Sequence, residues 1–166
     1  KLTNKPETNM PLLSDVLSIL PNKYIKIIEI KSKHIKNTGI EKKIITILEK
    51  YQVINSCIIS SFNPFIIRRI NRLNSNIQTA FLWTMDEPVF LINTPLWVWW
   101  CRPDGFHADI NYLNPNLVNW VRKNQMSIFG FTVRSEEQYK RAIDLDLDGI
   151  FIDDPKLNYN IKPLKK

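Results

Sequence analysis

Two rhythms of hydrophobic residues alternate along this chain. Short, almost continuously apolar runs are separated by stretches in which apolar residues return every three or four positions. Leu13, Val16, Leu17 and Leu20 recur at helical spacing, which predicts a helix over residues 11–20, ended by Pro21 and Asn22. Ile40, Ile44, Ile47 and Leu48 predict a second helix over 39–51, with Lys and Glu on its opposite face. Three more helices follow. One covers 64–73, with Pro64 in the first turn and Arg68, Arg69 and Arg72 on a solvated face. The next, 114–124, is capped by Asn114 with Pro115 behind it. The last, 135–147, opens on the capping-box pair Ser135 and Gln138. The apolar runs 24–31, 53–62, 78–84, 127–133 and 149–153 predict five strands.

Residues 85–110 follow neither rhythm. They hold Trp97, Trp99, Trp100 and a Cys101-Arg102-Pro103-Asp104-Gly105 turn, and are expected to contain a short helix and a strand-like piece. The alternation of Trp97 and Trp99 fits a strand packed under helices. The chain after Pro155 reads as a terminal tail, 156–166. Strands apolar on both faces, alternating with amphipathic helices, predict a parallel sheet covered by helices. That is either a doubly wound sheet or a barrel. Without repeats or linkers, residues 1–166 form a single domain.

Composition changes this picture little. The chain has 166 residues, 44% of them hydrophobic, which excludes a disordered chain and a disulfide scaffold. It holds 24 Ile, 17 Asn and 16 Lys but 3 Ala, a bias toward AT-rich codons. The net charge of +7 therefore reflects scattered Lys. The clusters at Lys42-Lys43 and at Lys162, Lys165 and Lys166 are short and lack interleaved aromatics, so no nucleic-acid partner is expected. Cys57 and Cys101 are far apart with no zinc-like spacing. They read as reduced thiols in a reducing, cytoplasmic setting. No run reaches the roughly 18 apolar residues of a transmembrane segment.

Candidate chemistry gathers at strand ends. In Tyr24-Ile25-Lys26-Ile27-Ile28-Glu29-Ile30-Lys31, Ile28 and Ile30 share one face while Ile27, Glu29 and Lys31 share the other. A carboxylate and an ammonium at the C-terminal end of a parallel strand stand where barrels and doubly wound sheets place their sites. Glu29 is then a metal ligand and Lys31 a phosphate contact; alternatively the strand frays and the two form a weak surface pair. Ser60 and Ser61 end the next strand, where one of them is expected to cap the following helix. No Gly-x-Ser-x-Gly elbow surrounds them. Phe131 forms a pocket wall or ordinary core. Asp153 and Asp154 fit a turn closed by Pro155 better than a cation site. His34 and His107 are expected as exposed loop residues rather than an acid–base pair.

Five motifs occur in order: Pro11-Leu12-Leu13-Ser14-Asp15-Val16-Leu17, Glu29-Ile30-Lys31, Ile59-Ser60-Ser61-Phe62, Phe131-Thr132-Val133 and Asp148-Gly149-Ile150-Phe151-Ile152-Asp153-Asp154-Pro155. Their spacing resembles the C-terminal part of the glycerophosphodiester phosphodiesterase family. The resemblance implies a TIM-type (β/α)8 barrel that hydrolyses glycerophosphodiesters to an alcohol and glycerol 3-phosphate, in phospholipid breakdown, with a divalent cation, calcium or magnesium. It implies Glu29 as a metal ligand, Lys31 as a contact to the substrate phosphate, and Phe62 and Phe131 as walls near the glycerol or leaving group.

The family's His-Arg-Gly, Glu-x-Asp and His-Asp motifs, which carry its catalytic histidines, do not occur in this chain. Family members usually have Trp where Phe131 stands, Asn where Arg134 stands and Thr where Asp153 stands. A barrel of roughly 250 residues has about 31 per unit, so this chain corresponds to about 5.3 units. Strands four to eight are therefore expected here, with the first three absent from the chain or supplied by a second one. The chain alone is expected to be inactive. The alternative is a non-catalytic or truncated relative that serves as a binding or assembly module.

Overall fold

The structure is a computed structural model that describes residues 10–32, 34–86 and 96–154. The elements follow in the order α1 (Leu13–Ile19), β1 (Lys26–Glu29), α2 (Ile40–Lys50), β2 (Cys57–Ser61), α3 (Pro64–Leu73), β3 (Gln78–Trp83), α4 (Leu96–Cys101), β4 (Gly105–Asp109), α5 (Pro115–Lys123), β5 (Ser127–Val133), α6 (Glu136–Asp144) and β6 (Gly149–Ile152). The predicted tail lies outside the described residues.

All six strands are parallel, and their spatial order equals their order in the chain. A doubly wound sheet would reverse direction at a switch point. Here every connection steps to the next neighbour, so the sheet curls into part of a barrel with helices outside. The fold class is thus an incomplete α/β barrel. The strand-like piece expected within residues 85–110 is the full strand β4, which makes six strands rather than five. Its run Gly105-Phe106-His107-Ala108-Asp109 lacks the β-branched residues that mark the others.

Alternation splits each strand between two environments. Outward residues such as Ile28, Cys57, Ile59, Phe106, Ala108 and Ile128 pack under the helices. Inward residues fill the curl. Register sets them side by side, with Glu29 opposite Ser60 and Asp109 opposite Phe131. Gly149 is required by close approach: a Cβ there would meet the Phe129 ring at 2.8 Å. No helix among the described residues is long and apolar enough to cross a membrane.

Several expectations are corrected. His107 does not lie in an exposed loop: it sits inside β4, 1% exposed, stacked on Phe129 at 4.8 Å and edge-on to Phe151 at 5.3 Å. The Cys101–Gly105 turn feeds directly into a strand, which carries His107 inward. Trp97 and Trp99 belong to helix α4, not to a strand; Trp97 packs against Phe65 and Trp100, whereas Trp99 is 64% exposed.

The Arg face of α3 is not uniformly solvated, and the charged face of α2 is not uniformly exposed. Arg69 Nε donates to Glu41 Oε1 at 2.6 Å, with Glu41 1% exposed, and Arg68 lies over the Trp100 ring. Ion pairing across two helices overrides the amphipathic pattern of each. Neither Ser60 nor Ser61 caps α3; Asn63 does, its Oδ1 accepting from Phe65 N. Both cysteines are buried free thiols. Burial pushes both pKa values up, that of Cys101 to about 12.

Two predictions follow from the packing. Glu41 Oε2 has no hydrogen-bond partner among the described residues, so the buried pair is only partly compensated. Arg69→Met should destabilise the fold by about 3 kcal/mol, and adding Glu41→Leu should recover most of that loss; urea melts of the two variants check this. Burial lowers the His107 pKa from its ordinary 6.5 to about 4, so the unfolded chain takes up this proton first as pH falls. Its contribution to stability is undiminished above pH 6.5 and declines toward pH 4, by on the order of 3 kcal/mol in full. Stability of His107→Gln, followed by denaturant melts from about pH 7 to about pH 5, should slope less steeply than that of the parent.

Candidate functional site

The C-terminal ends of the strands surround a cleft of about 300 Å³ inside the curl. Strand β1 contributes Ile27 and Glu29, and β2 contributes Ser60, with Phe62 just beyond it. Leu82 of β3 closes one wall. From the other side come Phe131 and Thr132 of β5 and Phe151 of β6, with Asp153 just beyond the strand. The two edges of the sheet therefore face one space because the sheet curls.

The ladder between β5 and β6 slips at this point. Gly130 pairs with Ile150, but Val133 pairs with Ile152, so β5 spends one extra residue as a bulge. The bulge turns Phe131 and Thr132 together toward the cleft. Phe131 meets Phe62 edge-to-face at 6.1 Å and 83°, and Phe151 at 6.4 Å and 79°. Two rings thus stand nearly perpendicular to a third.

Glu29 projects at the mouth of the cleft with its side chain 35% exposed. Lys31 stands beside it, its Nζ 3.9 Å from Glu29 Oε2, but is 82% exposed and is not part of the cleft lining. Of the four residues singled out in the sequence, three share one cavity and Lys31 sits at its rim. The segment carrying Lys31 is held from β2. Ser61 Oγ donates to Ile30 O at 2.7 Å, and Asn63 Nδ2 donates to Ser32 O and His34 O, each at 3.0 Å. Arg69 adds a bond to Ile35 O at 2.8 Å. His34 is exposed in this loop, as expected.

Glu29 suits a hard cation as one oxygen ligand, since its only ionic contact among the described residues is the long one to Lys31. No group of three or more His, Cys, Asp or Glu side chains that could hold a metal comes together among the described residues. A calcium shell takes about six to eight oxygens, so Glu29 fits as a contributor to a site and not as a whole one.

Sequence reasoning passed over Phe151 and undervalued Asp153. The run Gly149-Ile150-Phe151-Ile152-Asp153 alternates, so parity alone puts residues 149, 151 and 153 on one face. Asp153 Oδ2 accepts from Arg134 Nε at 2.9 Å, and an Arg134 Nη lies 2.8 Å from the same oxygen as an ion pair.

This geometry agrees with comparisons to known proteins. A model of the glycerophosphoryl diester phosphodiesterase family matches residues 2–157. A glycerophosphodiester phosphodiesterase from Caldanaerobacter subterraneus subsp. tengcongensis is 30% identical over 157 residues, covering 92% of this chain and 61% of the relative. The crystal structure of a glycerophosphodiester phosphodiesterase from Thermotoga maritima superposes with a TM-score of 0.65 at 20% identity, covering 86% of this chain and 60% of that one. A phosphodiesterase from Oleispira antarctica, solved in complex with the product sn-glycerol-3-phosphate, gives a TM-score of 0.59 at 18% identity over 77% of this chain and 51% of that one. The chain spans about three-fifths of the length of the curated relatives it matches. With a family model aligned along nearly its whole length, the chain belongs to the glycerophosphoryl diester phosphodiesterase family.

Proposed function

We infer that this chain forms part of the active site of a phosphodiesterase that hydrolyses glycerophosphodiesters to an alcohol and glycerol 3-phosphate. The observation that carries this reading is the convergence of Glu29, Phe62 and Phe131 on one cleft at the C-terminal ends of the strands, with Lys31 at its rim. Barrel enzymes place their chemistry at that end. The product-bound relative from Oleispira antarctica supports the substrate class.

In this reading Glu29 supplies one ligand to a divalent cation, calcium or magnesium. The bound cation would neutralise charge on the phosphoryl oxygens. Lys31 provides a second positive charge for the phosphate; its exposure leaves the ammonium hydrated and mobile until an anion fixes it. The phenylalanines shed water from the ester being cleaved. The acid–base histidines are not supplied by this chain. His107 is buried between aromatic rings and neutral at physiological pH, and His34 lies in the loop beyond Lys31. The 166-residue chain is therefore proposed not to turn over by itself, the remaining strands coming from the rest of the protein or from a second chain.

The β1 edge favours that arrangement over a self-sufficient binding module. It has no strand partner among the described residues, and Ile19, Tyr24 and Ile25 beside it are exposed. In the complete enzyme Glu29→Gln should lower kcat by about 100-fold or more, and Lys31→Met should lower kcat/KM by a similar factor. Both are measured by release of glycerol 3-phosphate at saturating calcium or magnesium. Unchanged metal dependence in Glu29→Gln would show that the ligand assignment is wrong. Turnover by the pure 166-residue chain would overturn the proposal that it needs a complement.

A further inference from the structure

The lysines are scattered, but the chain's seven arginines are sorted by their partners. Arg69, Arg122 and Arg134 each pair with a carboxylate, and Arg141 donates to the carbonyls of Ile110 and Leu113. Arg68, Arg72 and Arg102 form no ion pair among the described residues. These three gather on one outer face. Arg68 and Arg72 stand one turn apart on α3, and Arg102 follows α4 directly. Asn71 ties the two elements together, its Nδ2 donating to Arg102 O at 2.8 Å. Asp104, the carboxylate nearest Arg102 in the chain, accepts instead from Thr79 N at 2.8 Å.

The same face carries exposed indoles. Trp99 and Trp100 are neighbours on α4, 64% and 39% exposed. Phe65 supports Trp100 from α3, with ring centres 5.1 Å apart, and Arg68 Cζ lies 5.7 Å from the Trp100 ring centre. Arg68 Nε has no hydrogen-bond partner among the described residues. An aromatic ring rather than a carboxylate therefore holds this guanidinium, and its charge stays uncompensated. Helix α4 buries Val98 and Cys101 in the core that holds Phe81 of β3 and Phe106 of β4. Those are the middle strands of the six, so the face lies away from the β1 and β6 edges where further strands would join.

Exposed indoles among unpaired guanidiniums discriminate among surfaces. A second copy of the chain would set arginine against arginine. A neutral apolar surface would leave the three charges without partners. An anionic bilayer satisfies both features: its interfacial layer takes the amphipathic indole, and its phosphates accept from guanidinium forks. We propose that the α3–α4 face, with Trp99, Trp100, Arg68, Arg72 and Arg102, docks on an anionic phospholipid bilayer. Trp99 enters the interfacial layer, and the arginines engage headgroup phosphates. Phe65, which supports Trp100, lies three residues past the cleft-lining Phe62, so the docked face adjoins the rim of the cleft. This inference is independent of what the cleft hydrolyses.

The test is co-sedimentation of the complete protein with vesicles of phosphatidylglycerol and, separately, of phosphatidylcholine. Partition onto phosphatidylglycerol should exceed that onto phosphatidylcholine by about ten-fold or more at low salt and should fall steeply as salt is raised. Arg68→Gln combined with Arg72→Gln should lower partition onto phosphatidylglycerol about 30-fold at low salt. Trp99→Ala should lower it roughly ten-fold. Thermal melts confirm that both variants fold, and their turnover of soluble substrate should match the parent, because none of these residues lines the cleft. No binding to phosphatidylglycerol at low salt, equal binding to the two vesicles, or binding that both variants retain in full overturns the proposal. So does self-association without lipid that Trp99→Ala abolishes, which would give the face to a second copy. Release of glycerol 3-phosphate is measured apart from these, so failure here leaves the reading of the cleft intact.

Discussion

Each strand of a parallel sheet buried on both faces must divide its residues between two interiors, and it can do so only by parity. That constraint governs this molecule. Outward positions such as Ile28, Cys57, Ile59, Phe106, Ala108 and Ile128 are taken up by helix packing. Inward positions have no helix to pack against, and the curl brings them toward one another. Because all six strands run the same way, their carboxyl ends meet at one rim. Polar residues accumulate at that rim since the inward face reaches water only there. Glu29, Asp109 and Asp153 are all inward residues at or just beyond strand ends. Deeper in, the same face is closed by aromatic stacking of His107 with Phe129 and Phe151.

The rim would be useless if its loops wandered. The loop after β1 carries Lys31 and contains few apolar anchors. It is instead held by polar side chains that β2 and α3 send across. The Ser61 hydroxyl and the Asn63 amide bind three of its carbonyl groups, and Asn63 simultaneously caps α3. One side chain thereby ties a helix start to a neighbouring loop. A buried or half-buried carbonyl that lacks a donor costs about 1–3 kcal/mol, so the loop gains definition from bonds rather than from packing. Arg69 extends the same device to Ile35 while its guanidinium neutralises Glu41.

Much of this was legible in the chain because local rules and tertiary packing agreed. Pro64–Leu73 and Ser127–Val133 match their predicted bounds, since Pro at a first turn and an unbroken apolar run each specify one outcome. Parity grouped Ile27 and Glu29 on one face, and both line the cleft, whereas Lys31 of the same parity does not. The failures occur where distant partners decide. Nothing near Glu41 announces that Arg69, 28 positions on, will bury it. Nothing near His107 announces the rings of Phe129 and Phe151, and a short strand with Gly, His and Asp lacks the usual residues. Trp97 and Trp99 suit a strand by alternation and a helix by neighbour contacts; packing against Phe65 and Trp100 settled the matter. The hydroxyls at the end of β2 suit caps, but Asn63, two residues past the strand, is the one that accepts from the helix amide of Phe65.

Three departures from the family's usual residues, Phe131, Arg134 and Asp153, prove to be neighbours. Phe131 and Arg134 at the end of β5 meet Asp153 just beyond β6. A carboxylate introduced alone at residue 153 would face the aromatic ring at 131 with no counter-charge. Arg134 supplies one, in a pair with side chains more than half exposed, and such a pair contributes little to stability. Arg134 holds Asp153 through Oδ2. Phe131, smaller than the usual Trp, keeps nearly perpendicular contacts to Phe62 and Phe151. The three residues change shape and charge together, on the side of the cleft away from Glu29. Glu29 and Lys31 thus stand on one side of the cleft and the three departures on the other.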